Sequence, residues 1–324
     1  MPLPQKVEYV GIVGAGVIGA SWAALFLAAG HHVDVYEPSP DGEANTIAYI
    51  NNAWNQLQQL GQVQTGLTLE LALGRLSFHA TIADAVERAQ FIQESVPERM
   101  PIKHAVYREM EPALRPDAVV STSSSGLLLA DMQEAWQDPS RLILGHPFNP
   151  PHLIPLVELL GNDKTADGIL DWAADFYQSC GKETIFVHKE VPAHVANRLQ
   201  AAVWREAIHL VAEGVTSVAD VDKAMRAGPG LRWSVMGPHM LFSLGSGGLG
   251  IDGFCEKFGD SFHTWWDTMG TPRITPEIAA QLAAGIAEEE DGRSFAELTA
   301  ERDAKLIAAM NAIKAAEANS DTSD

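Results

Sequence analysis

Between Gly14 and Gly19 the chain spaces three glycines as Gly-x-Gly-x-x-Gly, directly after the apolar run Val7 to Val13 and directly before a helical pattern. Few folds admit that arrangement. Gly14 permits a tight turn, Gly16 lets a backbone approach a pyrophosphate, and Gly19 lets the helix lie close on the strand. The helix N-terminus, with Val17 and Ile18 in its first turn, offers N–H groups to phosphate. Glu37 ends the next apolar run, where a carboxylate accepts hydrogen bonds from an adenosine ribose and repels the additional phosphate of NADP. The pattern predicts a Rossmann-type dinucleotide site with NAD as its cofactor.

Short apolar runs then alternate with amphipathic stretches. Strands are expected at Val10 to Val13, His32 to Tyr36, Arg75 to Phe78, Gln90 to Gln93, Ala118 to Ser121, Arg141 to Gly145, Pro155 to Leu160 and Thr184 to Val187. Helices are expected at Val17 to Ala29, Glu43 to Leu60, Ile82 to Arg88 and Pro101 to Leu114. This alternation predicts an α/β, doubly wound sheet with helices on both faces. Strand signals stop near Glu190, and His194 to Gly214, Ser217 to Ala227, Thr275 to Glu290 and Ser294 to Ala315 read as helices. Gly245 to Gly253, with five glycines, reads as a loop, and Ala316 to Asp324 as a frayed polar tail. In 324 residues the expected division is a Rossmann-type NAD-binding domain over 1–189 and a smaller all-helical domain over 190–324.

Charge and composition exclude several classes. A net charge of −20 opposes nucleic-acid binding, which needs clustered Lys and Arg against phosphates. No run approaches the roughly 20 apolar residues of a membrane span. The residues before the first strand leave no room for a signal peptide, so the expected location is the cytoplasm. Cys180 and Cys255 match neither a disulfide framework nor a metal-ligand cluster, and no metal is expected.

Oxidising a secondary alcohol needs a base for the hydroxyl proton, and histidine suits that task. His146 ends an apolar run, the position where open parallel sheets place ligands, and Glu158 follows on the next run, where it could orient the imidazole. From spacing alone, a histidine beside prolines is as readily a loop residue, and Glu158 could pair elsewhere. Taken together, Gly14 to Gly19, Ser123-Ser124-Ser125, His146-Pro147-Phe148-Asn149-Pro150-Pro151, Leu156-Val157-Glu158 and Asn197-Arg198-Leu199, in this order, resemble the 3-hydroxyacyl-CoA dehydrogenase family over nearly the whole chain. Gly228-Pro229-Gly230-Leu231-Arg232-Trp233 and Gly237-Pro238 resemble its branch acting on small free hydroxy acids.

The resemblance implies roles residue by residue. His146 would be the base, Glu158 its partner, Ser124 a donor to the substrate oxygen, and Asn197 a second polar contact. Glu98 would lie near the nicotinamide ribose with Lys103 on the same helix, and the helical half would bind substrate and form a homodimer. Between Lys6 and Lys103 there is no lysine, and Glu43 to Gly74 holds no basic residue, which disfavours a coenzyme A thioester with its several phosphates. For a hydroxy acid with a quaternary ammonium, Phe148, Trp233 and Phe254 are candidate cage walls, with Asn149 beside them and Arg232 a candidate carboxylate partner. A hydroxylated sugar acid is the alternative substrate, and a non-catalytic NAD-binding role the alternative class.

Overall fold

A computed structural model describes residues 2–320. Contacts gather the chain into two compact units: one runs to Ala196 and takes in Leu306–Asn311, and the other holds Asn197–Lys305 and the residues from Ala312 onward.

The first unit opens with β1 (Tyr9–Val13), α1 (Val17–Ala28), β2 (His32–Tyr36), α2 (Gly42–Gln59), α3 (Leu69–Leu73), β3 (Leu76–His79) and α4 (Ile82–Val86). It continues with β4 (Phe91–Glu94), α5 (Met100–Met110), β5 (Val119–Thr122), α6 (Leu129–Met132), β6 (Leu142–Pro147), β7 (Leu156–Leu160), α7 (Ile169–Ser179) and β8 (Glu183–Phe186). The eight strands form one sheet in the order β3-β2-β1-β4-β5-β6-β7-β8. Neighbours are parallel except β6 and β7, which run antiparallel.

Alternation of side chains across each strand builds two cores. Val10, Ile12, Phe91, Val119 and Ile143 join Trp22 and Phe26 of α1, Leu57 of α2 and Tyr177 of α7 on one face. Val13, Ile92, Val120, Leu142 and Leu144 join Val86, Tyr107 and Met132 on the other. Fully buried rings such as Phe26 and Phe91 each contribute about 1.5–3 kcal/mol through burial alone.

In the second unit the elements are helices: α8 (Ala196–Ala212), α9 (Val218–Ala227), α10 (Pro229–Trp233), α11 (Pro238–Gly245), α12 (Gly250–Thr268), α13 (Pro276–Glu290) and α14 (Phe295–Ser320). α8 begins at Ala196 in the first unit, and the middle of α14 also belongs there, with Ile307 and Met310 packing on Leu60 and Leu153. Ser217 and Thr275 cap α9 and α13, each accepting from the backbone N–H three residues on.

Three expectations change. The glycine-rich loop contracts, because α12 begins at Gly250 and absorbs Gly253, whose missing Cβ would lie 2.3 Å from the Leu249 side chain. The tail expected from Ala316 continues as helix to Ser320; 321–324 lie outside the described residues. α3, α6, α7, α10 and α11 were not anticipated, although Ile169, Ala173, Phe176 and Tyr177 give α7 one buried face. Among the described residues, no helix is long and apolar enough to cross a membrane, and no group of His, Cys, Asp and Glu could hold a metal ion.

Candidate active site

The turn from β1 into α1 needs its glycines for separate reasons. Gly14 has φ +87, and a Cβ there would lie 2.9 Å from the Val96 nitrogen. At Gly19 a Cβ would fall 1.9 Å from the Gly14 carbonyl oxygen, so no larger residue lets the helix leave the strand at this distance. Above Gly16 nothing lies within 4 Å of a built Cβ, and no side chain caps the helix there. Glu37 sits at the end of β2 with Oε2 accepting from the Ala15 N–H at 2.7 Å and Oε1 from the Ser39 N–H at 3.0 Å. Open space over Gly16, uncapped first-turn N–H groups and a carboxylate against the same loop fit a dinucleotide with its pyrophosphate on α1. Val17 and Ile18 form the first turn of that helix.

Across the sheet, the reversal of β7 brings the expected base and its expected partner together. The antiparallel register sets His146 directly opposite Glu158. Nδ1 of His146 lies 2.8 Å from Oε2 of Glu158, and both residues are buried. The second oxygen of Glu158 accepts from the backbone N–H groups of Val195 and Ala196, each at 2.9 Å. Burial pushes the Glu158 carboxyl up, but the hydrogen bonds from His146, Ala196 and Val195 outweigh it and leave the group below its ordinary value. An ionised Glu158 takes the Nδ1–H of His146, so Nε2 is the nitrogen left to receive a proton. Phe148, one strand step beyond, meets the imidazole edge-on with ring centroids 5.8 Å apart. Asn149 is exposed and joins Pro150 through a cis peptide bond.

Ser124 and Glu98 form a second cluster at the end of β5. The Ser124 hydroxyl donates to Glu98 Oε1 at 2.6 Å, and the same oxygen accepts from the N–H groups of Ser125, Gly126 and Leu127. To donate to a substrate oxygen, Ser124 must therefore exchange Glu98 for it. Burial raises the Glu98 carboxyl, while Ser124, the charge of Lys103 and the loop N–H groups lower it further, so it titrates below its ordinary value. Ser123 turns inward to Gln93 and Ser95.

Lys103, expected at the cofactor, lies beneath this cluster. It is 1% exposed and reaches Glu94 at 2.8 and 3.0 Å, with Glu98 at 3.5 Å. Glu94 also accepts from Tyr107, Thr122 and the Val96 N–H. Burial and then Glu94 raise the Tyr107 phenol, which keeps it a donor. Lys103 thus meets the cluster at Glu98. Glu94 is a supporting residue missed in the sequence, where the available signal was a carboxylate closing the buried strand Phe91–Glu94.

The remaining expected residues lie in the helical unit. Asn197 is in the first turn of α8, and Arg232 and Trp233 end α10. Phe254 of α12 stacks on Phe242 at 4.9 Å between ring centroids and packs against Phe258 and Phe262, so much of its surface is already used by other rings.

Residues 9–191 match the family model of the 3-hydroxyacyl-CoA dehydrogenase NAD binding domain, and residues 194–274 match that of the 3-hydroxyacyl-CoA dehydrogenase C-terminal domain. A protein of Streptomyces coelicolor named L-carnitine dehydrogenase is 42% identical over 312 residues, covering 96% of each chain. One of Pseudomonas putida with the same name is 37% identical, covering 98% of each. Among solved structures, that of 5-formyl-3-hydroxy-2-methylpyridine 4-carboxylic acid 5-dehydrogenase, described as an NAD⁺-dependent dismutase, superposes with a TM-score of 0.81 at 28% identity, covering 95% of this chain and 99% of that one.

Proposed function

The chain belongs to the 3-hydroxyacyl-CoA dehydrogenase family, and on that premise we propose that it oxidises L-carnitine to 3-dehydrocarnitine with NAD as hydride acceptor. The observation that carries the chemistry is the buried His146–Glu158 pair at the end of β6, in the same sheet as the glycine cradle. The choice of substrate rests on relatives of that name at 37% to 42% identity over nearly their full length.

Gly14, Gly16, Val17, Ile18, Gly19 and Glu37 would hold the dinucleotide, with Glu98 toward its nicotinamide half. Bound NAD supplies the acceptor for the hydride leaving C3. Nε2 of His146 takes the hydroxyl proton, and Glu158 stabilises the imidazolium that results. Ser124 would orient the oxygen. Phe148 fits a role beside the trimethylammonium, since aromatic faces attract such cations. Purified protein given NAD⁺ with L-carnitine, L-gulonate, 3-hydroxybutyrate and 3-hydroxybutyryl-CoA should form NADH fastest with L-carnitine. Faster turnover of L-gulonate would move the reading to the sugar-acid alternative, and NAD⁺ binding with no turnover at all would favour a non-catalytic role.

Helices α9 to α13 contain no buried residue, while Leu231, Val235, Leu244 and Leu249 are each more than 60% exposed. Apolar surface of that kind marks an interface, and a homodimer through the helical unit would cover it. Light scattering should give twice the 35.0 kDa chain mass, and a monomer at micromolar concentration would refute the dimer. The free thiols of Cys180 and Cys255 suit a reducing compartment such as the cytoplasm.

A further inference from the structure

His194 takes no part in the steps above, yet it stands beside the base. It has φ +50 and follows Ala193 at φ +65, so two successive non-glycine residues hold the left-handed conformation. Such backbone is costly for L residues and persists only where the surrounding structure imposes it. The turn carries the imidazole inward. His194 is 2% exposed, its ring centroid lies 5.2 Å from that of His146, and its Nε2 is 3.3 Å from the Ser124 carbonyl oxygen. A carbonyl can only accept, so the proton sits on Nε2 and Nδ1 is bare. Nδ1 is buried and has no hydrogen-bond partner among the described residues. Buried polar atoms are nearly always paired, and one left open beside a base points to an atom supplied by a ligand.

The chemistry of a 3-hydroxy acid says which atom. Its carboxylate carbon is two bonds from C3, about 2.5 Å away, so a hydroxyl held on His146 brings the carboxylate close to the neighbouring ring. A quaternary ammonium offers neither a donor nor a lone pair and makes no use of Nδ1. The titratable groups facing His194 are His146 on β6, Glu158 on β7 and Glu190 of its own segment, and Glu98 lies across Ser124. A carboxylate placed here meets other carboxylates, and His146 must stay neutral to act as base. His194, with Nδ1 open beside His146, can supply the compensating charge.

We propose that His194 binds the substrate carboxylate through Nδ1, taking up one proton from solvent as the anion binds, and so selects free hydroxy acids over their amides and thioesters. This rests on the reading of the site as a 3-hydroxy acid dehydrogenase, and not on which hydroxy acid it takes. Without substrate, burial and then the charge of His146 hold His194 below the ordinary histidine value, against the Ser124 carbonyl and the two glutamates. A bound anion opposes that lowering. Toward alkali, deprotonated His194 cannot hold the anion, and KM rises.

The test uses His194→Gln and His194→Phe, each first shown to bind NAD⁺ as the wild type does. KM and kcat are measured for L-carnitine and for its amide across about pH 6 to 9. Loss of one charge-assisted hydrogen bond should raise the carnitine KM about 10- to 100-fold, with kcat and the amide's kcat/KM changed less than about threefold. The alkaline rise in KM should vanish in both variants. Equal losses for acid and amide, a fall confined to kcat, or an alkaline limb unchanged from wild type would overturn the assignment. If wild-type enzyme does not oxidise L-carnitine, that substrate reading fails by itself. 3-Hydroxybutyrate and its amide then test His194 by the same criteria.

Discussion

Replacing His146 by alanine should lower kcat by about a thousandfold while leaving the NAD⁺ dissociation constant within about twofold, because a positioned general base is worth roughly 10²–10⁴ in rate. The separation of the two effects follows from where the residue stands. His146 lies near the end of β6, with β5 and β4 between it and the β1 strand that leads into the glycine cradle, so its removal leaves the dinucleotide's contacts in place. Glu158 has three donors in the wild type, Nδ1 of His146 and the N–H groups of Val195 and Ala196, and keeps the two from the backbone in the variant. The fold should therefore survive. Single-turnover NADH formation would locate the loss in the chemical step. A variant that kept more than a tenth of wild-type turnover would remove His146 from the proton transfer.

The second large effect concerns stability. Lys103→Met should cost about 3–5 kcal/mol in urea unfolding, because it leaves the Glu94 carboxylate buried without its cation. Tyr107, Thr122 and the Val96 N–H would still donate to Glu94, but three neutral donors do not replace a charge in a site with no exposure. Adding Glu94→Gln should recover much of the loss, since removing both charges of a buried pair is far milder than removing one. A single variant within about 1 kcal/mol of wild type, or a double variant worse than the single, would show that the pair is not the support of the Glu98 cluster. Turnover should fall along with stability, because Lys103 also helps to keep Glu98 ionised and thereby holds the loop from Ser124 to Leu127.

Much of this was legible in the sequence for identifiable reasons. The β1–α1–β2 unit could be read because steric demands leave glycine little competition at Gly14 and Gly19, and Glu37 falls where the second strand ends. Strand positions followed from apolar runs, but strand direction did not. Nothing in Leu156–Leu160 says that β7 runs against β6, and this reversal creates the facing pair of His146 and Glu158. Glycine content misled at α12, where Gly253 serves close packing against Leu249 rather than looseness. The Glu94–Lys103 pair joins a strand to a helix, and His194 owes its position to a left-handed turn. Neither leaves a periodic trace.

Because the backbone ladder fixes base and partner while Phe148 to Ile154 hang free of it, the fold separates chemistry from choice of substrate. Exposed positions in that connection, such as Asn149, can change side chain without disturbing the paired strands. A change that shifts the pairing by one residue would instead set His146 opposite an apolar side chain. Lineages built on this frame can explore new alcohols by substitution, and should almost never do so through insertions that slip the two strands.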